Sequence, residues 1–314
     1  MLNQVDKLEV ITLVDNYIDL TADDSSPSLK RAIPLENMVL KKSFLAEHGF
    51  CAVIRTTRGS EVHSFIFDFG FSTDTAVKNA DALGLDLRTM EMAVLSHGHN
   101  DHFGGIAEVG KKIGKSGLPF VVHPSAFRKA RYWYIDEKQK ISLPGTDRKS
   151  IEKAGFAIVE SKKPYPLIGG DALFLGEIPR KTSFEKINPC NYFITDDKAV
   201  LDPIEDDTGV AINVAGKGLV VISGCAHAGI INTVEHAMTV TGVKQLYGVM
   251  GGFHLSEPGF DFNAVIEQTV QAIKVQAPNY VIPTHCTGRK AILKFEHEMP
   301  EQFIVNMVGT TLIF

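Results

Sequence analysis

Apolar residues along the chain fall into short runs separated by turn residues. "LEVITLVDN" (8–16), "GFCAVIRTT" (49–57) and "VHSFIFDFG" (62–70) are rich in β-branched and aromatic residues and predict strands. "STDTAVKNADALG" (72–84) opens on hydroxyl and carboxylate residues and closes on glycine, which predicts a short helix. "MAVLS" (92–96) predicts a buried strand, "IAEVGKKIG" (106–114) a helix and "PFVVH" (119–123) another strand. In the second half, strand patterns at 218–223, 245–250 and 280–283 alternate with helical patterns at 230–242 and 261–276. Such alternation predicts an α/β sheet with helices packed outside it. Residues 17–48, with Pro27 and Pro34, read as a long excursion. "FRKARYWYIDEKQK" (127–140) reads as an amphipathic helix packing Tyr132 or Trp133 inward, the other reading being a lid or ring-stacking surface; "IEDD" (204–207) reads as a solvated turn.

Composition narrows the class. With 314 residues, 44% hydrophobic and 22% charged, the chain has ordinary globular content and enough length for a large core. No apolar run approaches membrane-spanning length, and Asp6, Glu9 and Asp15 break up the early hydrophobics, so a cytoplasmic protein is expected, without membrane contact. A net charge of −5 argues against a dedicated nucleic-acid binder and leaves a small molecule as the expected partner. Cys51, Cys190, Cys225 and Cys286 are scattered without a CxxC pair, so no disulfide framework is expected. The chain has no nucleophile elbow, P-loop or dinucleotide fingerprint.

"LSHGHNDHFGG" (95–105) crowds His97, His99, Asp101 and His102 into one turn after a strand. Protonated imidazoles so close would repel one another, whereas a metal ion draws the neutral rings and the carboxylate together. In an extended segment His97 and His99 project to one side, while Asp101 and His102 point elsewhere once the chain turns helical, so the motif can feed two neighbouring metals. Imidazole and carboxylate suit zinc, and also iron or manganese. Gly104 and Gly105 allow close backbone approach behind the ligands. More candidates follow later strands: Cys225 and His227 in "SGCAHAG", His254 in "GGFHLS" and His285 in "IPTHCTG". Sites in α/β sheets gather at those carboxyl ends.

His97, His99, Asp101 and His102 spell H-x-H-x-D-H, the signature of the metallo-β-lactamase superfamily, which the chain resembles along nearly its whole length. "LVDN", "EHGF", "GEIPR", "GCAHAGIINTVEHA" and "PTHCTG" look like the branch that includes the archaeal dihydropterin-ribofuranosylaminobenzene phosphate synthases. The resemblance implies a four-layer αββα sandwich, one domain over 1–314 with insertions at about 17–48 and 124–160. It also implies a dinuclear site along the sheet edge. His285 matches the family's last histidine, and Cys225 stands where the family commonly has a bridging aspartate. His227 is the expected remaining ligand of the first metal, with Glu177 as the alternative. Asp68 matches a supporting aspartate that orients a ligand, and Asp15 and Asn16 end a strand where they can line the site.

The expected protein is a hydrolase holding two divalent metals, zinc or else iron or manganese. Asp101 is its catalytic carboxylate, and His254, Arg180 and Asn16 are its substrate contacts. The expected substrate is a small anionic ester, phosphoester or amide with a heterocyclic part. The alternatives are a pterin-type synthase using the same metals, a nuclease, or a non-catalytic metal-binding protein. His48, His63, His123, His236 and His297 read as structural or surface residues.

Overall fold

The structure, a computed structural model, describes residues 2–136, 138–257 and 260–314. Its strands alternate between two apolar environments rather than between core and water. In Lys7–Val14, Leu8 and Val10 pack into one cluster while Ile11 and Leu13 pack into another. Cys51–Arg58 splits likewise, Ala52 and Ile54 against Cys51 and Val53. In Gly218–Ser223, Val220 and Ile222 join the first cluster while Leu219 and Val221 join a third. Side chains of a strand point alternately to opposite faces, so each sheet is covered on both sides.

The shared cluster lies between the two sheets. One has eight strands in the order Phe156–Glu160, Leu118–Val122, Met92–Val94, Glu61–Phe67, Cys51–Arg58, Lys7–Val14, Thr310–Ile313 and Leu29–Arg31. The other runs Tyr165–Leu167, Ala172–Phe174, Gly209–Val214, Gly218–Ser223, Leu246–Gly252 and Tyr280–Thr284, with Gln4–Val5 paired to Gly209–Val214. Phe50, Phe65, Phe67 and Phe174 fill the space between them, and full burial of such a side chain contributes about 1.5–3 kcal/mol. Helices Thr75–Ala82 and Ile106–Ile113 cover the first sheet. Ile230–Thr241, Asn263–Gln276 and Arg289–Glu298 cover the second. The result is the expected four-layer αββα sandwich. No helix among the described residues is long and apolar enough to cross a membrane.

Two local expectations fail. The stretch 127–140 is not a helix: Arg131–Tyr134 and Lys140–Leu143 pair antiparallel and continue into Asn191–Thr195 and Lys198–Leu201 as a separate four-stranded sheet. Consecutive aromatics favour a pleated surface with cross-strand partners. Tyr134 packs edge-on against Tyr192 at 4.9 Å, and the Lys140 ammonium lies 4.3 Å from the Tyr132 ring centre. The Asp136 carboxylate makes the turn by accepting from the Lys138 and Gln139 amides; Glu137, in the same stretch, lies outside the described residues. Nor is 204–207 a solvated turn, because Asp206 and Asp207 are fully buried. The long excursion adds Leu29–Arg31 to the edge of the first sheet and forms a small hairpin, Leu35–Glu36 with Val39–Leu40.

Candidate metal centre

Six strands end at one edge of the sandwich, three from each sheet. Lys7–Val14, Glu61–Phe67 and Met92–Val94 lead to Asp15, Asp68 and the histidine-rich turn; Gly218–Ser223, Leu246–Gly252 and Tyr280–Thr284 lead to Cys225 with His227, His254 and His285. Several of these turns use left-handed backbone: Asp68 (φ 59°), Ala226 (φ 54°), His254 (φ 43°) and His285 (φ 49°). Such conformations cost about 1–3 kcal/mol each and persist only where the surroundings hold them. His99 is extended and caps the short helix Asn100–Phe103, which separates the His97/His99 pair from Asp101 and His102. Glycines make the turn possible. A Cβ at Gly98 would lie 2.1 Å from the Ala126 carbonyl oxygen, and one at Gly104 would lie 1.7 Å from that of Phe71.

The donors fall into groups whose ligand atoms lie within 4.8 Å of one another. His97, His99 and His227 make one; Asp101, His102, Cys225 and His285 make a second; Cys225, His254 and Cys286 make a third. In the second group, Asp101 Oδ2 lies 3.2 Å from His285 Nε2 and 3.7 Å from His102 Nε2, and His102 Nε2 lies 3.1 Å from Cys225 Sγ. The Nε2 atoms of His97, His227 and His285 are buried and have no hydrogen-bond partner among the described residues. Unpaired buried nitrogens are costly, and three of them at one edge, beside a carboxylate and a thiol, are what metal ions would satisfy. The donor set fits.

Each group is braced from behind. Asp68 accepts from the Ser96 amide and hydroxyl and lies 2.7 Å from His102 Nδ1, the ligand-orienting place expected of it. Asp15 accepts from the His285 amide, the Asn16 amide, Asn306 Nδ2 and the Thr284 hydroxyl. The neighbouring Asp206 and Asp207 brace the first group. Asp206 accepts from Gly98 N, between His97 and His99, at 2.7 Å, and Asp207 accepts from Ala228 N, next to His227, at 2.9 Å. Arg131, 2% exposed, binds Asp206 and also donates to Asp202 at 2.9 Å. Buried carboxylates survive only with such partners. Composition gave no sign of this network, since each aspartate reads as surface until its partner folds against it.

Protonation follows the surroundings. Burial and neighbouring imidazoles hold His97 and His227 well below the ordinary histidine range, and burial with Arg131 lowers His99 to about 4. Neutral imidazole is the form that binds metal. Burial opposes ionisation of Asp101, yet His102, His285 and His99 together hold it below the usual carboxylate range. His102 is raised to about 9, Asp101 and Asp68 outweighing its burial. Asp206 falls to about 2 because Arg131 outweighs burial, whereas burial lifts Asp207 to about 7.

The donors open onto a cavity of about 700 Å³ lined by Asn16, Phe71, His99, Asp101, Trp133, Cys225, His227, His254 and His285 among others. Asn16 and His254, read from the sequence as substrate contacts, lie on its wall. Trp133 lines the cavity from a strand, in keeping with the ring-stacking reading of its stretch. His48, read as structural, lies on the same wall, with Nε2 3.5 Å from Asp101 Oδ2 and its ring 4.8 Å from that of His285; the "EHGF" string was its only signal. Glu177 lies outside all three donor groups, half exposed and 3.7 Å from His123 Nε2. Arg180 lies off this cavity and donates to the carbonyl oxygens of His227 and Pro203, both at 2.6 Å. No Lys or Arg among the described residues lines the 700 Å³ cavity.

Comparison with known proteins agrees with this architecture. Residues 46–235 match the family model of the metallo-β-lactamase superfamily. A protein of Methanocaldococcus jannaschii named 7,8-dihydropterin-6-methyl-4-(beta-D-ribofuranosyl)-aminobenzene-5'-phosphate synthase is 31% identical over 96% of this chain and 95% of its own. An uncharacterized protein of the same organism is 33% identical over 88% of this chain and 97% of its own. Among solved structures, a metal-dependent hydrolase of the β-lactamase superfamily superposes with a TM-score of 0.72 at 24% identity, covering 97% of this chain and 98% of that one. The metallo-β-lactamase fold protein YhfI of Bacillus subtilis superposes with a TM-score of 0.53 at 12% identity, covering 98% and 100%.

Proposed function

The chain belongs to the metallo-β-lactamase superfamily, and from that premise we propose that it is a hydrolase of a small, partly flat substrate, using two divalent metal ions. The observation that carries the reading is the pair of donor groups side by side, His97/His99/His227 and Asp101/His102/Cys225/His285, with members of both on the wall of one cavity. Zinc suits this mixed set of imidazole, carboxylate and thiol, with iron or manganese as alternatives. When bound, such ions supply Lewis acidity, making water nucleophilic near neutral pH and polarising the bond under attack.

The protein's own groups do the rest. Asp101 stands between His102 and His285, where its ionised carboxylate would accept a hydrogen bond from the attacking water and hold its orientation. Asn16 fixes the His285 turn by donating to the His285 carbonyl oxygen at 3.1 Å. Trp133 and Phe71 offer flat apolar faces to a ring. Arg180 holds the His227 loop by its carbonyl, which favours a positioning role over a charge clamp.

A second reading is a pterin-type synthase, favoured by similarity to the archaeal synthase along almost the entire chain. The test is an assay of metal-reconstituted protein against aryl esters, aryl phosphodiesters and lactones, in parallel with dihydropterin and phosphoribosyl-aminobenzoate precursors. Hydrolysis that needs added metal and disappears in Asp101→Ala is the expected result. Condensation without turnover of any hydrolysable compound would replace the first reading with the second.

A further inference from the structure

The His227 and His254 rings, with centroids 4.0 Å apart, lie on the walls of two cavities. One is the 700 Å³ cavity of the metal donors. The other, of about 420 Å³, contains no member of the donor groups besides these two histidines.

We propose, on the footing of the hydrolase reading above, that this smaller cavity is a second ligand chamber. It takes a flat aromatic or heterocyclic group that carries a hydrogen-bond acceptor, so the substrate has two parts meeting beside the metal donors. Three observations carry this. The first is the wall: Phe184, Phe253 and Phe262 line the cavity, a lining suited to a ring. The second is Asn188. Its Oδ1 accepts from the Cys190 amide at 2.8 Å, which fixes the orientation of its side-chain amide and makes Nδ2 the free end. That Nδ2 is buried and has no partner among the described residues, so an acceptor brought by a ligand would relieve a standing cost.

The third observation is charge. Arg180 and Lys186 line the smaller cavity together with Glu185 and Asp202, so its cations are matched by carboxylates and a neutral ring group is suited to it. The larger chamber repeats the same chemistry. Trp133 Nε1, which can only donate, is unpaired there, and so is Nδ2 of Asn191, its partner on the adjacent strand. Each chamber thus joins an aromatic wall to an unsatisfied neutral donor.

The test is isothermal titration of zinc-loaded protein with two unhydrolysable phosphinates. Bis(4-carbamoylbenzyl)phosphinate has two rings, each with a carbonyl acceptor; (4-carbamoylbenzyl)(methyl)phosphinate has one. Fluorescence of Trp133, the only tryptophan, reports occupation of the larger chamber by either compound. The two-ring compound should bind about tenfold tighter, the scale of one added hydrogen bond with ring burial. Asn188→Asp keeps the acceptor for the Cys190 amide but removes the free donor. It and Phe262→Ala should each cut that advantage to below about threefold while leaving one-ring affinity and the tryptophan response unchanged. Equal affinity for the two compounds in the unaltered protein, with the one-ring compound still binding in a zinc-dependent way, overturns the second chamber and leaves the hydrolase reading standing. Equal weakening of both compounds by Asn188→Asp also overturns it. Failure of both compounds to bind the zinc-loaded protein overturns the two together.

Discussion

His97, His99 and His227 are three neutral imidazoles on two loops, and the adjacent carboxylates of Asp206 and Asp207 grip those loops by the backbone. The second group is built differently. It mixes the Asp101 carboxylate and the Cys225 thiol with two imidazoles, and Asp68 and Asp15, at the ends of two strands of the eight-stranded sheet, hold it from behind. A divalent ion on the first group meets no ligand charge, while one on the second meets a carboxylate and a thiol that loses its proton on binding. The lesson is that two adjacent sites in one cavity need not have the same affinity, metal preference or dependence on support.

Breaking the second group at its carboxylate should have the largest effect. Asp101→Ala removes the group between His102 and His285, so turnover should vanish and metal content should drop; retained turnover in a metal assay would separate Asp101 from the chemistry. Loss of the supports should follow. Asp206→Asn should weaken metal binding at the first group, and Asp68→Asn at the second, each by about 10–100-fold. Competition with a chromophoric chelator on cobalt-loaded protein reads this, and the comparison collapses if both variants weaken the same spectral component.

A smaller effect is expected at the thiol. Cys225→Ser should leave the first group unchanged and shift the second away from zinc toward harder ions, which metal competition followed by elemental analysis would show. Unchanged preference would reduce Cys225 to a packing residue. Smallest of all, Arg180→Ala frees the His227 carbonyl oxygen and should lower turnover by a few-fold, about what one or two lost hydrogen bonds allow. The loss should be equal for a neutral aryl ester and an anionic aryl phosphodiester. A raised KM for the anion alone would make Arg180 a substrate contact instead. His297→Ala, on the exposed side of its helix, should be silent.

The contrast between the groups also marks how far the sequence could be read. The candidate donors sit at strand ends beside glycines, so the gathering of His97, His99, His102, His227 and His285 at one edge was legible from local pattern. So were the strands and helices that carry them, because their periodicity matches two covered sheets. Asp206 and Asp207 were not. Their burial depends on Arg131 and on amides of distant loops, and a charged dipeptide carries no local sign of such partners. The strand Arg131–Tyr134 failed as a sequence reading for a related reason: besides the nearby Lys140–Leu143 it pairs with Asn191–Thr195, the partner that extends it into a sheet, which lies some sixty residues further along the chain. His48 was obscured because it reaches Asp101 from a stretch without regular structure.

The central claim is that this edge holds two divalent ions through two separable donor groups. The most direct test is the metal content of zinc-loaded, desalted protein for the unaltered chain, His97→Ala and His285→Ala, with circular dichroism confirming that each is folded. The account predicts about two ions per chain in the unaltered protein and about one in each variant, as a two-metal site requires. Absence of bound metal in the unaltered chain, or an undiminished content in both variants, would contradict it.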